Sequence, residues 1–296
     1  MQYYGEANCI AFKRSGKPCT NKAYYRGGLC GVHSTDKIAL SKNPDAKTVH
    51  SQLLVDREKL VASAVAANKL LKKSGSIILS KLRMMREPDQ FDGYLKVFPN
   101  FNHGGRKDGV GMSSLSPKSI GPVLHGQPGL PPAMNLENLH QGSKVFPQEL
   151  DSLGNPTDLF RTRRLEMYND KIPWRHKFQK YADLVPPGKN KNIPLFSVWV
   201  YPDYTEVHLS YFESRQIYCC LYEKYVEVDP GFKRLKCTIA DGYNIQICGY
   251  DAYPITMSLE DHYLDTSKPF GHELVLYCML IGERPWAKYL TIPNIY

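Results

Sequence analysis

Glu137, Gln141 and Lys144 place a carboxylate, an amide and an ammonium at positions i, i+4 and i+7, the spacing of one helix face. Two of the groups carry opposite charge, and the third both donates and accepts hydrogen bonds. Their neighbours are Leu136, Leu139, Val145 and Phe146, so the polar stripe is expected to lie against an apolar wall. The Pro- and Gly-rich stretch from Leu115 to Met134 reads as an ordered loop over that stripe. The same triplet also suits a solvated ion pair on a helix surface, and the long upstream loop is what weighs toward a site. His140 lies on the same helix. Asp251, closing Gly249-Tyr250-Asp251 after an apolar run, is either a second carboxylate or an ordinary turn. Trp174-Arg175-His176-Lys177 joins a stacking ring to three basic groups, a set suited to a base or a phosphate. Each lone histidine, His272 included, has a plain structural role as its alternative.

A second constellation lies near the start of the chain. Cys9, Cys19, Cys30 and His33 follow the pattern Cys-x9-Cys-x10-Cys-x2-His, with Ser15-Gly16-Lys17-Pro18 and Gly27-Gly28 as turns between them. Three thiolates and an imidazole fill a tetrahedral Zn²⁺ shell and leave no open position, so the expected role of the ion is structural. A segment this short builds little apolar core, and metal binding would supply its folding energy. The Gly-Lys-Pro-Cys and Cys-Gly-x-His pieces resemble small cysteine-rich modules in proteins of large DNA viruses. That resemblance implies binding rather than catalysis.

The chain has 296 residues, 42% of them hydrophobic, and 20 tyrosines, which describes a folded protein with a sizeable core. Its net charge of +9 is concentrated in residues 1–110, which carry 19 Lys/Arg against 9 Asp/Glu; the remainder is close to neutral. A basic arm on a neutral body points to a polyanion, most simply nucleic acid, with a solvated basic face as the alternative. The first residues lack a secretory apolar segment, and no run approaches a membrane span. An intracellular protein of cytoplasm or nucleus, or one carried in a virion, is expected, with no membrane partner and with cysteines in a reducing compartment. No phosphate-loop, dinucleotide-fold or zinc-protease motif is present.

The positioning elements follow from periodicity. Asn43-Pro44-Asp45 starts a helix that runs to Lys72-Lys73, and Ser76–Arg86 reads as a second helical stretch. Residues 87–114 show no period and read as a linker. Further helices are expected at Glu137, at Leu159–Asn169, at Ser214–Tyr225 and at His272–Leu280. Ile193–Val200 and Val207–Phe212 form a hairpin around Pro202-Asp203, Asn244–Gly249 is a short strand, and Pro186-Pro187-Gly188 is a turn. The expected fold is α+β, a mostly helical main domain with a β-hairpin and a small N-terminal zinc-binding module. The corresponding domains are residues 1–42, a basic helical segment and linker at 43–112, and the main domain at 113–296.

With those elements in order, residues 113–285 resemble the NADAR superfamily. Leu115-Ser116 precedes Glu137-x3-Gln141-x2-Lys144, as a Leu-Ser or Phe-Ser turn precedes Glu-x-x-x-Gln-x-x-Lys-Phe in that family. Arg215, Leu235, Asp251 and Phe270-Gly271-His272-Glu273-Leu274 follow in the family's order. Val145 separates Lys144 from Phe146, and Asp251 is followed by Ala-Tyr-Pro where the family has Asp-x-x-Trp-Gly. The resemblance implies a hydrolase, an N-glycosidase that acts on phosphorylated ribosyl metabolites or removes ADP-ribose from modified nucleic-acid bases. It implies Glu137 as the carboxylate facing an oxocarbenium-like transition state, with Asp251 as a second carboxylate. Lys144 and Arg215 would hold phosphate, and Gln141 would orient a hydroxyl or water. Trp174 and His140 are further substrate-binding candidates. The competing reading is a non-enzymatic nucleic-acid-binding or virion protein, and a third is a structural protein assembling through its tyrosine-rich half.

Overall fold

A computed structural model describes residues 5, 7–35, 40, 46–83, 88–174 and 193–289, with the side chains of 46–50 excepted. The expected helix cap at 43–45, Arg86, the basic run 175–177 and the turn at 186–188 lie outside the described residues. Two compact units divide at Lys59/Leu60. The chain is α+β.

In the first unit, single bridges (Asn8 with Lys22, Phe12 with Pro18, Tyr25 with Leu29) fold the chain back on itself around Cys9, Cys19 and Cys30. The reversals fall where the sequence supplies glycine: Gly16, Gly27 and Gly28 all have φ near +70°, a region closed to most L-residues. Helix α1 (Ala46–Leu70) crosses the division. From Leu60 onward it belongs to the second unit, where the Asn68 side chain donates to the Gly242 carbonyl at 2.8 Å.

The second unit is built on a four-stranded, wholly parallel sheet. Its strands are β1 (Ile77–Lys81), β2 (Tyr94–Phe98), β3 (Val110–Gly111) and, much later in the chain, β7 (Asn244–Gly249), in the order β1-β7-β2-β3. This corrects two expectations. Residues 77–81 are strand rather than helix, and the stretch 87–114 carries two strands rather than a linker. The register explains the pattern. Leu79 and Val97 both pair with Ile247, and Leu95 pairs with Ile245, so one face is apolar and buried in the main core. Ser80, Lys96 and Gln246 occupy the other face and are also buried.

Between β3 and β7 lie α2 (Leu136–Gly142), β4 (Lys144–Val145), α3 (Asp158–Asn169), β5 (Phe196–Val200), β6 (Glu206–Leu209), α4 (Tyr211–Glu227) and α5 (Pro230–Ala240). After β7 come α6 (Leu259–Leu264) and α7 (His272–Ile281). Strands β4, β5 and β6 form a second, antiparallel sheet that contains the expected hairpin. Ser210 and Glu213 form a capping box that starts α4. Asp229 with Pro230 starts α5, and Gly282 at φ 81° ends α7. Among the described residues no helix is long and apolar enough to cross a membrane.

One buried ion pair underlies the region that carries Lys144. Arg163 and Glu149 are 1% and 3% exposed, and Arg163 Nε donates to Glu149 Oε1 at 2.5 Å. Arg163 Nη2 donates to the Lys144 carbonyl at 2.5 Å, and the Phe146 amide donates to Glu149 Oε2 at 3.0 Å. Glu149→Ala would strand a buried guanidinium, so a loss of about 3–5 kcal/mol in unfolding free energy is expected by urea denaturation. A loss well below ~1 kcal/mol would show that Arg163 finds another acceptor.

Candidate active site and metal centre

Parallel strands all end on one side, and in open sheets that edge is where ligands collect. Here the edge gathers chemistry. Strand β1 ends on Lys81, whose ammonium lies 3.8 Å over the Tyr253 ring. Strand β7 ends at Gly249 and leads into Asp251. The N-terminus of α7 brings Gly271, His272 and Glu273 to the same place. A Cβ on Gly249 would lie 2.0 Å from Glu273 Oε1, and one on Gly271 would lie 2.7 Å from Asp251 Cβ and 3.0 Å from Glu273 Oε2. Only glycine at both positions lets the two carboxylates approach this backbone.

Helix α2 supplies the rest. Asn135 caps it, accepting from the Asn138 amide at 2.8 Å. It stops after Gly142, where the chain presses on α3 so closely that a Cβ would stand 2.9 Å from Tyr168 Cε1. Lys144 therefore sits on β4, not on a third helical turn as the spacing predicted. The three side chains still form one chain of hydrogen bonds. Gln141 Nε2 donates to Glu137 Oε1 at 3.2 Å, and Lys144 Nζ donates to Gln141 Oε1 at 3.0 Å. Burial pushes the Lys144 ammonium down to about 8, with the Glu137 charge opposing the shift. Asp251 is shifted upward, chiefly by burial and then by the negative charges of Glu273 and Glu137, against His272 and Lys81. Burial also pushes the Tyr218 phenol well up, with Glu137 the next cause. Glu137 and Glu273 thus each act on both Asp251 and Tyr218.

Three sequence candidates are placed differently. Arg215 is buried in α4, and its guanidinium donates to the carbonyls of Tyr263, Asp265 (3.0 Å) and Lys268 (2.8 Å). It clasps the chain after α6, and no contact ties it to Glu137, so the expected phosphate grip at this position is corrected to a structural one. Trp174 is strapped to α2, its amide donating to Asn138 Oδ1 and its indole N–H to Asp170 Oδ2, both at 2.8 Å. His140 packs its ring 4.9 Å from Tyr218 and lines a cavity of about 20 Å³ with Ser143, Ser197 and Ser214. Sequence gives Glu273 only a place in the Phe270–Leu274 segment and Lys81 only a place in a basic run, with no site role for either. A lone Glu after Gly-His and a Lys closing Ile-Ile-Leu-Ser carry no pattern until the sheet brings them together. The one available signal was glycine, at Gly249 and Gly271.

The metal-type cluster is a separate feature of the first unit. The donor atoms of Cys9, Cys19, Cys30 and His33 all lie within 4.8 Å of one another. Cys9 Sγ and Cys30 Sγ are each 3.4 Å from His33 Nδ1, and Cys19 Sγ is 4.0 Å from Cys30 Sγ. Burial would raise the Cys30 thiol, but hydrogen bonds from the Asn21 side chain and the Val32 and His33 amides prevail and hold it at about 6. A thiol that ionises below neutrality is the form that ligates metal. The set fits a four-coordinate site, whose Zn–S bonds of about 2.3 Å put sulfurs roughly 3.8 Å apart.

No family model, no curated protein and no solved structure matches the chain.

Proposed function

We propose that the strand-end site is that of an N-glycosidase, a hydrolase that cleaves the bond between a ribosyl C1′ and a nitrogen. Within that class, the Glu137–Gln141–Lys144 stripe favours the NADAR type, acting on a phosphorylated ribosyl or ADP-ribosyl substrate. The observation that supports this reading is the environment of Asp251, whose carboxyl is shifted upward chiefly by burial and then by the charge of Glu273, with Glu137 a smaller contribution of the same sign. Asp251, protonated, gives its proton to the departing nitrogen. Glu137, ionised, faces the positive charge that develops at C1′ and takes a proton from the attacking water. The products are the free amine or base and the sugar with a hydroxyl at C1′, and solvent exchange restores both carboxyl groups. Gln141 fixes the Glu137 carboxylate, while Lys144 and Lys81 suit substrate oxygens or phosphate.

The Cys3His cluster is assigned a structural Zn²⁺, and the eight free thiols suit a reducing intracellular compartment. The second reading, a nucleic-acid-binding protein without turnover, is favoured by one observation. Lys13, Arg14, Lys17, Lys22 and Arg26 are all exposed around the cysteine cluster.

One experiment separates the two. Wild type and Asp251→Asn are incubated with ribose-5-phosphate-linked amines and with ADP-ribosylated DNA, and mass spectrometry follows released base and sugar. Release by wild type, reduced about 10²- to 10⁴-fold in the variant, is the expected result. Failure of wild type to release anything would remove the glycosidase. DNA binding that weakens steeply with salt, and less steeply once those five cations are replaced by Gln, would then leave the binding protein.

A further inference from the structure

The first unit leaves apolar side chains in water among charges of a single sign. Burial alternates along its opening stretch: Cys9 is buried and Ala11 packs against the sulfur cluster, while Ile10 and Phe12 are 67% and 65% exposed. Alternation of this kind normally puts polar residues outside, so an outward Phe close to an outward Ile calls for a reason. Phe12 bridges to Pro18 at the base of a tight reversal. The Lys13 amide donates to the Lys17 carbonyl at 2.8 Å and the Gly16 amide to the Lys13 carbonyl at 2.9 Å, with Gly16 at φ 75°. Lys13, Arg14 and Lys17, all exposed, thus share a short closed backbone that begins at Phe12. Residues 7–35 also contain Lys22 and Arg26, both exposed, and neither Asp nor Glu. Three thiolates around the proposed Zn²⁺ would cancel only one of these positive charges.

We infer that the reversal at residues 12–18 binds single-stranded nucleic acid, with a base stacked on Phe12 and the flanking phosphates held by Lys13, Arg14 and Lys17. The inference rests on the nucleic-acid reading of the five cations and is independent of turnover in the second unit. Charge alone would suit any polyanion, and the exposed ring is what selects among them. A ring set among cations is the combination that holds an unpaired strand, because phosphates meet the charges and every base offers a π-face. In a duplex those faces are stacked on one another, and the Phe12 ring would stay in water.

A lipid surface is the other anion that takes apolar side chains. It is met by a continuous apolar face, most often an amphipathic helix, and the helical turn described within residues 7–35 is the three-residue Arg26–Gly28. Ile10 and Val32, the latter 78% exposed, would give lipid further anchors but offer a base no π-face. Ile10 is therefore the control that separates the two. Lys13 is only lightly engaged, its ammonium donating to Thr20 Oγ1 at 3.3 Å on the surface. Exchanging that hydroxyl for a phosphate gains a charge-assisted hydrogen bond.

Fluorescence anisotropy of a labelled oligothymidylate, titrated with the full chain as purified, tests this. Binding is expected to be tighter than to the same strand paired with oligodeoxyadenylate. Phe12→Ala should weaken it about 10- to 100-fold with the salt slope unchanged, while Phe12→Trp restores it and Ile10→Ala leaves it within about twofold. Replacing Lys13, Arg14 and Lys17 by Gln should flatten the slope of log K against log salt by about 2. An abasic deoxyribose-phosphate strand guards against a misfolded variant: wild type should bind it about as weakly as Phe12→Ala binds oligothymidylate. Equal affinity of Phe12→Ala and wild type, or of the abasic and thymidylate strands, overturns the inference and leaves a plain cationic surface. Capture by phosphatidylserine vesicles in place of strand binding, lost with Ile10→Ala as well as Phe12→Ala, overturns it in favour of lipid. No binding to any strand removes the nucleic-acid reading itself.

Discussion

Glu137→Gln is expected to lower turnover at least about a thousandfold, which is roughly 4 kcal/mol of transition-state stabilisation, while the fold is retained. Gln has the shape of Glu, and its carbonyl oxygen can still accept from Gln141 Nε2, the contact that Glu137 Oε1 makes at 3.2 Å. What disappears is the negative charge that faces the sugar. Lys144 gives a readout that a merely misfolded variant would not. Burial already brings its ammonium to about 8, and the Glu137 charge is what opposes that fall. Removing the charge should send the Lys144 midpoint below 8, measurable by nitrogen NMR of labelled lysine. The sign can be cross-checked by stability. A lysine depressed below its unfolded value of 10.5 leaves the unfolded chain binding more protons, so wild-type stability should rise as pH climbs between those two values. In the variant that rise should begin at lower pH. Unchanged turnover in a folded Glu137→Gln protein would rule out the role assigned to this carboxylate.

The parts legible in the sequence are those whose signal is local. Glu137 and Gln141 announced themselves because a capped helix repeats its face every three to four residues, and Asn135 caps it. The β5–β6 hairpin was legible because β-branched runs flank Pro202-Asp203; Thr205 completes the turn by donating its amide to Asp203 Oδ1 at 3.0 Å. The parallel sheet was not. Strands β1 and β2 each pair with β7, well over a hundred residues later, and the one nearby partner, the two-residue β3 beside β2, is too short to leave a pattern. Ile-Ile-Leu-Ser-Lys after a long helix reads equally well as more helix. The site suffered from the same gap. Asp251, Glu273 and Lys81 have nothing in common along the chain, and they meet because three strand and helix ends share one edge. Arg215 erred the other way. A guanidinium on a helix reads as a phosphate grip, yet three carbonyls after α6 already occupy it.

If the Cys9–Cys19–Cys30–His33 cluster holds its proposed metal, withdrawing that ion is expected to unfold residues 7–35 outright. The unit's core is three cysteine side chains with Ala11 and Leu29 against them, and that is too little apolar surface to offset the entropy of ordering the loop. Its cysteines are free thiols, and the Cys19 and Cys30 sulfurs stand 4.0 Å apart, so no disulfide holds it either. What remains is ligation. A structural Zn²⁺ held by three thiolates and an imidazole would supply about 10–16 kcal/mol near neutral pH, far more than anything else this segment contains. The purified chain should therefore carry one zinc per molecule, released by a strong chelator or a thiol-specific mercurial together with the amide NMR dispersion of residues 7–35. Cys30→Ser should act most severely, because Cys30 is in contact with Cys19, His33 and the Asn21 amide at once. Acid should reproduce the effect, since protons compete with metal for thiolate and imidazole. A chain that is metal-free as purified, yet keeps the dispersion of those residues, would show that the four side chains meet for some reason other than an ion.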